Sequence, residues 1–376
     1  MIIVIGAGAA GLATAISVAS HNKEVILIEK TSRLGGTVTQ SLIHTIGGLY
    51  DTEGNYINEG LPQELASLLL KADSKTHKRR IGRTCTLTVA PIVYEQVVES
   101  WINRYPTLNL FRNSQLTDIQ TEAGLVKQVE LTTPKEQIIL QPQAVIDATG
   151  TAEVVRFISP QNVIDEAVLA GLILQVDGVP KKVLKFPKNI TYLRQIQQAV
   201  TDNILPPECN RTWLDTGVYE DQIYIKLNFL ATKQHTPSQL QQIPQKLISF
   251  LQKKPDFSQA RLTQIGQLGI RDGGRIKGEY TLSAEDIRNG RNFPDALAQC
   301  CWPLEYWSPE KGVTLEYLPD GQSYDIPLRT LKVVGMENLW AVGKILSADK
   351  LAQASARVAG TCWAMGDGLG RVLARS

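Results

Sequence analysis

A chain of 376 residues is long enough for two domains and buries roughly three-quarters of its unfolded surface, so neither disulfides nor structural metals are needed to hold it. Its 43% hydrophobic and 20% charged residues are ordinary globular values, and a formal charge of +2 is too mild for a nucleic-acid footprint. The five cysteines form no C-x-x-C pair, which favours reduced thiols in a cytoplasm, and the sequence shows neither a charged signal n-region nor the ~20 apolar residues of a membrane span.

Residues 2–5 are an apolar run of the kind a buried parallel strand shows. Gly6, Gly8 and Gly11 follow in G-x-G-x-x-G spacing and lead through Ala9 and Ala10 into a helix over 9–20. In that order the glycines serve a tight turn, the approach of a pyrophosphate and close helix packing, and the helix N-terminus faces the phosphates. A second strand over 24–28 ends at Glu29, 18 residues after Gly11, where an acid hydrogen-bonds ribose hydroxyls and disfavours a 2′-phosphate. The fingerprint leaves NAD and FAD both open.

The residues after Glu29 bear on that choice. Lys30, Arg33, Gly35, Gly36 and Thr37 resemble the extended ADP-binding turn of FAD proteins related to glutathione reductase. Ala148-Thr149-Gly150 is similar to the "ATG" motif of that superfamily, and the run from Asn338 to Gly343, with residues 354–358, resembles its C-terminal motif. Residues 275–287 resemble a mid-chain pattern of the FAD-dependent oxidoreductase family, distantly similar to fumarate-reductase-type and amine-oxidising flavoproteins. The resemblance implies an α/β fold: a discontinuous Rossmann-type FAD domain with a parallel sheet and a three-stranded β-meander, plus an α+β substrate domain. It implies FAD as cofactor, with Gly343, Ser355, Arg357 and Val358 added to the residues that hold it; Lys344 stands where the family more often has Arg and could contact the flavin or its phosphates or form a surface salt bridge.

Further along the chain, helices are expected over 62–72 and from 91 to about 105, a strand over 85–89, and the meander over 114–121, 126–132 and 137–140. The basic run 77–80 reads as a solvated loop. Composition shifts between about 156 and 324, with a strand expected over 219–231 and an amphipathic helix over 237–253. The FAD domain is assigned to 1–48, 84–155 and 325–376, and the substrate domain to 49–83 and 156–324.

Four residues are candidates for chemistry. His44 lies in a glycine-rich loop and could act as a general base or cap a turn. Arg271 and Arg275 bracket Gly273-Gly274, a spacing suited to bidentate capture of a carboxylate or to bracing two domains. Tyr280 lies in the mid-chain pattern. A last helix is expected to begin near 355–357 with its opening backbone toward the flavin pyrimidine, as the resemblance implies. Cys300-Cys301 lacks the C-x4-C spacing of disulfide reductases, and His44 or Cys85 would be the first suspects for a covalent flavin link.

No second G-x-G-x-x-G, G-D-A-x-H or W-x-W-x-I-P run occurs. The expectation is therefore an oxidase or dehydrogenase that moves a hydride between a C–N or C–C bond of a small molecule and flavin N5, in a direction left open, with O2 or another acceptor. A monooxygenase acting on a peptide or carrier-bound substrate and a non-catalytic FAD-binding protein stay open. No membrane or nucleic-acid partner is expected, and the oligomeric state is left open.

Overall fold

A computed structural model of the chain describes residues 1–166, 168–230, 235–308 and 310–375. Strand Ile2–Ile5 is the centre of a five-stranded parallel sheet in the order Leu339–Ala341, Ala144–Asp147, Ile2–Ile5, Val25–Glu29, Leu108–Arg112. Chain order reverses beside the first strand, so a crevice opens there at the carboxyl ends of the strands. The near-continuous apolar runs are explained by burial on both faces. Val4, Leu27 and Ile146 face the helices, while Ile3, Ile28 and Val145 face Val126, Val129 and Leu131 of the three-stranded meander.

Helix Ala9–Ser20 packs against the C-terminal helix Ala359–Arg375, and two glycines permit the contact. A Cβ at Gly366 would lie 2.3 Å from the Ala10 carbonyl oxygen, and one at Gly370 would lie 2.4 Å from Ser17 Cβ. Ser17 Oγ donates to Asp367 across the same seam, and Trp101 stacks on Trp363 behind it.

A separate antiparallel sheet has the order Trp213–Thr216, Gln222–Leu230, Leu169–Asp177, Arg261–Ile265. Helices Lys188–Thr201 and Pro237–Leu251 cover one face and enclose their own core of Leu172, Leu174, Ile225, Leu227, Ile196 and Leu247. On the other face, Ile173 and Tyr224 meet Leu42 from the glycine-rich loop. Leu61, Leu65 and Leu69 of helix Leu61–Ala72 pack into the same core as helix Ala9–Ser20.

Three expectations are corrected. The basic run is part of strand His77–Ile81, in which Arg79 binds Asp215 and is not a solvated loop residue. The last helix does not start at 355–357. Ser355 closes helix Lys350–Ala356, Arg357 caps its C-terminus, and Ala359–Arg375 begins afresh. The helix from 91 ends at Ile102 rather than near 105. The strand expected over 219–231 is Gln222–Leu230, and Ala231 lies outside the described residues.

The seam between the first and last helices leaves no room for a methyl group. Gly366→Ala is expected to cost about 1–3 kcal/mol through overpacking. Urea unfolding monitored by circular dichroism would show it, and an unchanged midpoint would contradict the backbone-close contact.

Candidate functional site

At the carboxyl edge of the parallel sheet, four strand ends build one cradle. Gly6 leaves the first strand at φ +107°, and a Cβ there would lie 2.4 Å from the Ala148 carbonyl oxygen. Gly11 is as tightly placed, its missing Cβ falling 1.9 Å from Gly6 O. Gly8 differs: its Cβ would meet only Gly36 Cα, at 4.0 Å, which leaves open space above the turn. Gly8 is also the N-cap of helix Ala9–Ser20 and supplies no side-chain hydrogen bond. The first N–H groups, from Ala9 to Gly11, are thus left for an anion, with the positive end of the helix dipole behind them.

Glu29 is buried at the end of the second strand. Its Oε2 accepts from Ala7 N at 3.0 Å, and its Oε1 accepts from Thr31 N and Oγ1 at 2.9 and 2.8 Å. The carboxylate is fixed beside the glycine turn with a lone pair on Oε2 remaining for a hydroxyl. Gly35 N donates to Ala7 O and brings the second glycine turn against the first. Arg33 grips Glu95 through Nε and Nη2, bracing that turn on helix Pro91–Ile102 rather than presenting a free cation. Lys30 is exposed and lies 3.8 Å from Glu153, and Thr37 opens the short helix Thr37–Gln40.

Buried Asp147 shapes the Ala148-Thr149-Gly150 turn. Its oxygens accept from Thr149 N and Oγ1 and from Val154 N and Val155 N, while burial pushes the carboxyl upward against those four donors. Gly343, at φ +89°, ends the last strand against Ala10. The free helix terminus, the open face of Gly8 and the fixed ribose-type acid fit a dinucleotide such as FAD.

The family described as FAD dependent oxidoreductase matches residues 2–159 and 177–376. The chain belongs to this family. It is an FAD-dependent enzyme of oxidoreductase type, and FAD is its cofactor. Among solved structures, it is similar to a geranylgeranyl bacteriochlorophyll reductase-like protein from Thermoplasma acidophilum, with TM-score 0.54, 13% identity, and coverage of 100% of this chain and 76% of that one. It is also similar to a variant of the flavin-dependent brominase Bmp2, with TM-score 0.50, 11% identity, and coverage of 100% and 79%. At such identities the likeness speaks to fold alone. No curated protein matches the sequence. Among the described residues, no helix is long and apolar enough to cross a membrane, and no cluster of His, Cys, Asp and Glu suits a metal ion.

Beside the cradle of this flavoenzyme lies a second construction. Lys344 Nζ donates to Ile270 O at 2.6 Å, and its Cε packs on the Gly150 turn. Gln353 donates to the carbonyls of both Arg271 and Lys344, and Arg357 follows on the same helix, so one buried amide ties three cation-bearing segments together. Burial first and the Arg357 charge second push Lys344 down to about 8, and both also lower Arg271. Among the described residues, none of Arg271, Lys344 and Arg357 has a carboxylate within salt-bridge reach. The charges of Glu305 and Asp272 act on Arg357 from beyond that reach, and the two Glu305 oxygens accept from the indole N–H groups of Trp302 (2.9 Å) and Trp307 (2.8 Å). Glu305, Trp302, Trp307 and Gln353 escaped the sequence reading. The odd run Cys301-Trp302-Pro303-Leu304-Glu305-Tyr306-Trp307 was the one signal that could have marked them.

The four expected chemical residues do not come together. The cavity lined by Arg271 and Arg357 includes none of His44, Arg275 and Tyr280. Arg275 is buried between Asp272 (3.0 Å) and Glu166 (3.2 Å) and donates to Ala348 O, a brace between segments. Tyr280 OH donates to Asp286, beside Arg291. Ser355 Oγ pairs with Tyr324 OH at 2.8 Å, and Val358 Cγ2 packs on Gly48. Cys85 is a buried free thiol.

His44 is fully buried, stacked on Tyr224 with ring centroids 3.7 Å apart, and its Nε2 lies 3.4 Å from Asp215. Asp215 also takes Arg79 at 2.7 Å and Lys226 at 2.8 Å, and these cations hold its carboxyl far below the usual range. Burial outweighs the Asp215 bond and lowers His44 from 6.5 to about 4. The native state therefore prefers neutral His44. The stability this confers is complete above pH 6.5 and is lost as pH falls toward 4, on the order of 3 kcal/mol in all. Urea midpoints at pH 7 and 4.5 should fall further for the wild type than for His44→Phe, which retains the stack without the titration. Equal losses would place the acid sensitivity elsewhere.

Proposed function

We propose that this flavoenzyme moves a hydride between a C–N or C–C bond of a small organic substrate and flavin N5. Substrate lies between the FAD cradle and the four-stranded-sheet unit, which we assign as the substrate domain. The observation that carries the reading is the set of unneutralised cations at the edge of the cradle. FAD, when bound, supplies a two-electron acceptor whose pyrimidine edge gains negative charge on reduction. Lys344 and Arg357, which have no carboxylate within salt-bridge reach among the described residues, are the chain's means of stabilising charge at that edge. Their fields act in a half-buried setting, where an aimed cation is worth more than in water. Gln353 holds both segments in register before any ligand arrives.

The first test is the absorbance spectrum of purified protein before and after acid precipitation, followed by anaerobic titration. One FAD per chain, slow bleaching by NADH or NADPH and fast bleaching by amine, amino-acid or enoate-type partners are expected. Fast bleaching by a nicotinamide would replace this reading with a monooxygenase or reductase, and a colourless protein unable to take up FAD would end it. In the same assay, Arg357→Leu should slow substrate-driven reduction by about 100-fold, the scale of losing one aimed donor. The rate should also fall as pH rises through about 8, where Lys344 loses its charge, and Lys344→Arg should move that limb upward. An unmoved limb would remove Lys344 from the chemistry.

A further inference from the structure

Arg271 and Arg275 are four residues apart in the sequence and opposite in circumstance. Arg275 has two acids on it; Arg271, among the described residues, has none. Arg271 is nevertheless held still. Its guanidinium donates to Leu169 O at 2.5 Å and to Asn228 Oδ1 at 3.0 Å, and its plane lies 3.9 Å from the centre of the Trp307 ring. Those bonds occupy two of the five N–H donors of an arginine, leaving a planar edge free. Across a narrow cleft stands Arg357, and the lining includes Tyr306, Trp307, Gln353, Lys350 and Asp272, whose carboxylate is engaged by Arg275.

Two guanidiniums that share a partly desolvated cleft repel each other. Burial and the Arg357 charge together make Arg271 a weaker base than usual, although a guanidinium remains protonated. Leaving buried like charges unpaired is costly, and an anion between them removes the cost. The cleft has a volume of about 10 Å³, barely the room of one water. A carboxylate therefore enters only as strand Leu304–Ser308, which bears Tyr306 and Trp307, moves outward.

We propose that Arg271 and Arg357 form a clamp for a carboxylate group on the substrate, with the Trp307 ring as its floor. Calling the ligand the substrate rests on the hydride-transfer reading; the carboxylate site itself does not. Arg271, rather than the Arg271–Arg275 pair, is then the specificity-determining residue, and Arg275 is a structural brace.

The test is a titration of FAD-loaded protein with sodium acetate, against sodium chloride at equal ionic strength, the neutral isostere acetamide, and sodium sulfate. The readouts are the visible difference spectrum, the melting temperature and tryptophan fluorescence. Acetate should saturate a perturbation of Trp307 emission and raise the melting temperature, and acetamide and chloride should do neither. Arg271→Met, and Arg271→Gln should the first variant fold poorly, should weaken acetate binding at least tenfold while retaining FAD. Wild-type protein that holds one FAD per chain yet ignores acetate would overturn the clamp, for instance because the flavin edge itself neutralises both arginines. Sulfate binding in preference to acetate would overturn the carboxylate assignment. Protein that cannot hold FAD would defeat the proposed function instead, and the clamp would then be judged from tryptophan emission alone, where silence toward acetate overturns it.

Discussion

The fold depends on how closely two backbones can approach. Helix Ala9–Ser20 must sit low enough on the parallel sheet for its N-terminus to face the crevice, and the C-terminal helix must sit low enough on it to seal the core. Side chains would hold both apart. Gly11 removes the obstacle between helix and strand, and Gly366 and Gly370 remove it between the two helices. The chain's first and last segments thus form one body, and the four-stranded unit is an excursion from it. The functional crevice follows from the same closeness, because it brings the ends of four strands within reach of one ligand.

Charge is gathered in two clusters that differ in how their cations are met. Around Asp215, a buried acid is met by Arg79, Lys226 and His44, drawn from three different stretches of chain. That cluster is built round one carboxylate, which both cations and the histidine face, and it joins the glycine-rich loop to the second sheet. A histidine enclosed there and held neutral serves as a lock and is poorly placed to exchange protons with a ligand. Around Gln353 three cations converge, and among the described residues none has a carboxylate within salt-bridge reach; Glu305 and Asp272 act on them through their fields alone.

What could be read from the sequence follows from this difference. The nucleotide cradle was legible because it is made of backbone demands that only particular residues meet: glycines at fixed spacing, an acid at a strand end, an apolar run too short to be a helix. The meander was legible for the same local reason. The break at Arg357–Val358 was not, since no proline or turn residue announces it. It is imposed from a distance by Gly47, whose carbonyl accepts from Gly360 N and so docks the glycine-rich loop on the start of the last helix. Arg271 and Arg275 looked equivalent because spacing is all a sequence shows. Their difference lies in Asp272 and Glu166 on one side and Trp307 on the other, and only the fold decides which neighbour each receives.

Glu305 shows how such a difference is maintained. Its charge acts on both Arg271 and Arg357, yet it forms a salt bridge with neither. Two indole N–H groups hold it back, one on each oxygen, from Trp302 three residues before it and Trp307 two residues after. Neutral donors satisfy the carboxylate without cancelling its charge, so its field still acts on the arginines, whose own bonds run to Leu169 O, Asn228 Oδ1 and the Glu305 backbone carbonyl. Trp302 is in turn pinned by Gly47, where a Cβ would fall 2.4 Å from its ring. The glycine-rich loop that fixes the helix break thus also fixes the indole that restrains the acid. The bare cations are a built feature of the same packing that forms the FAD cradle.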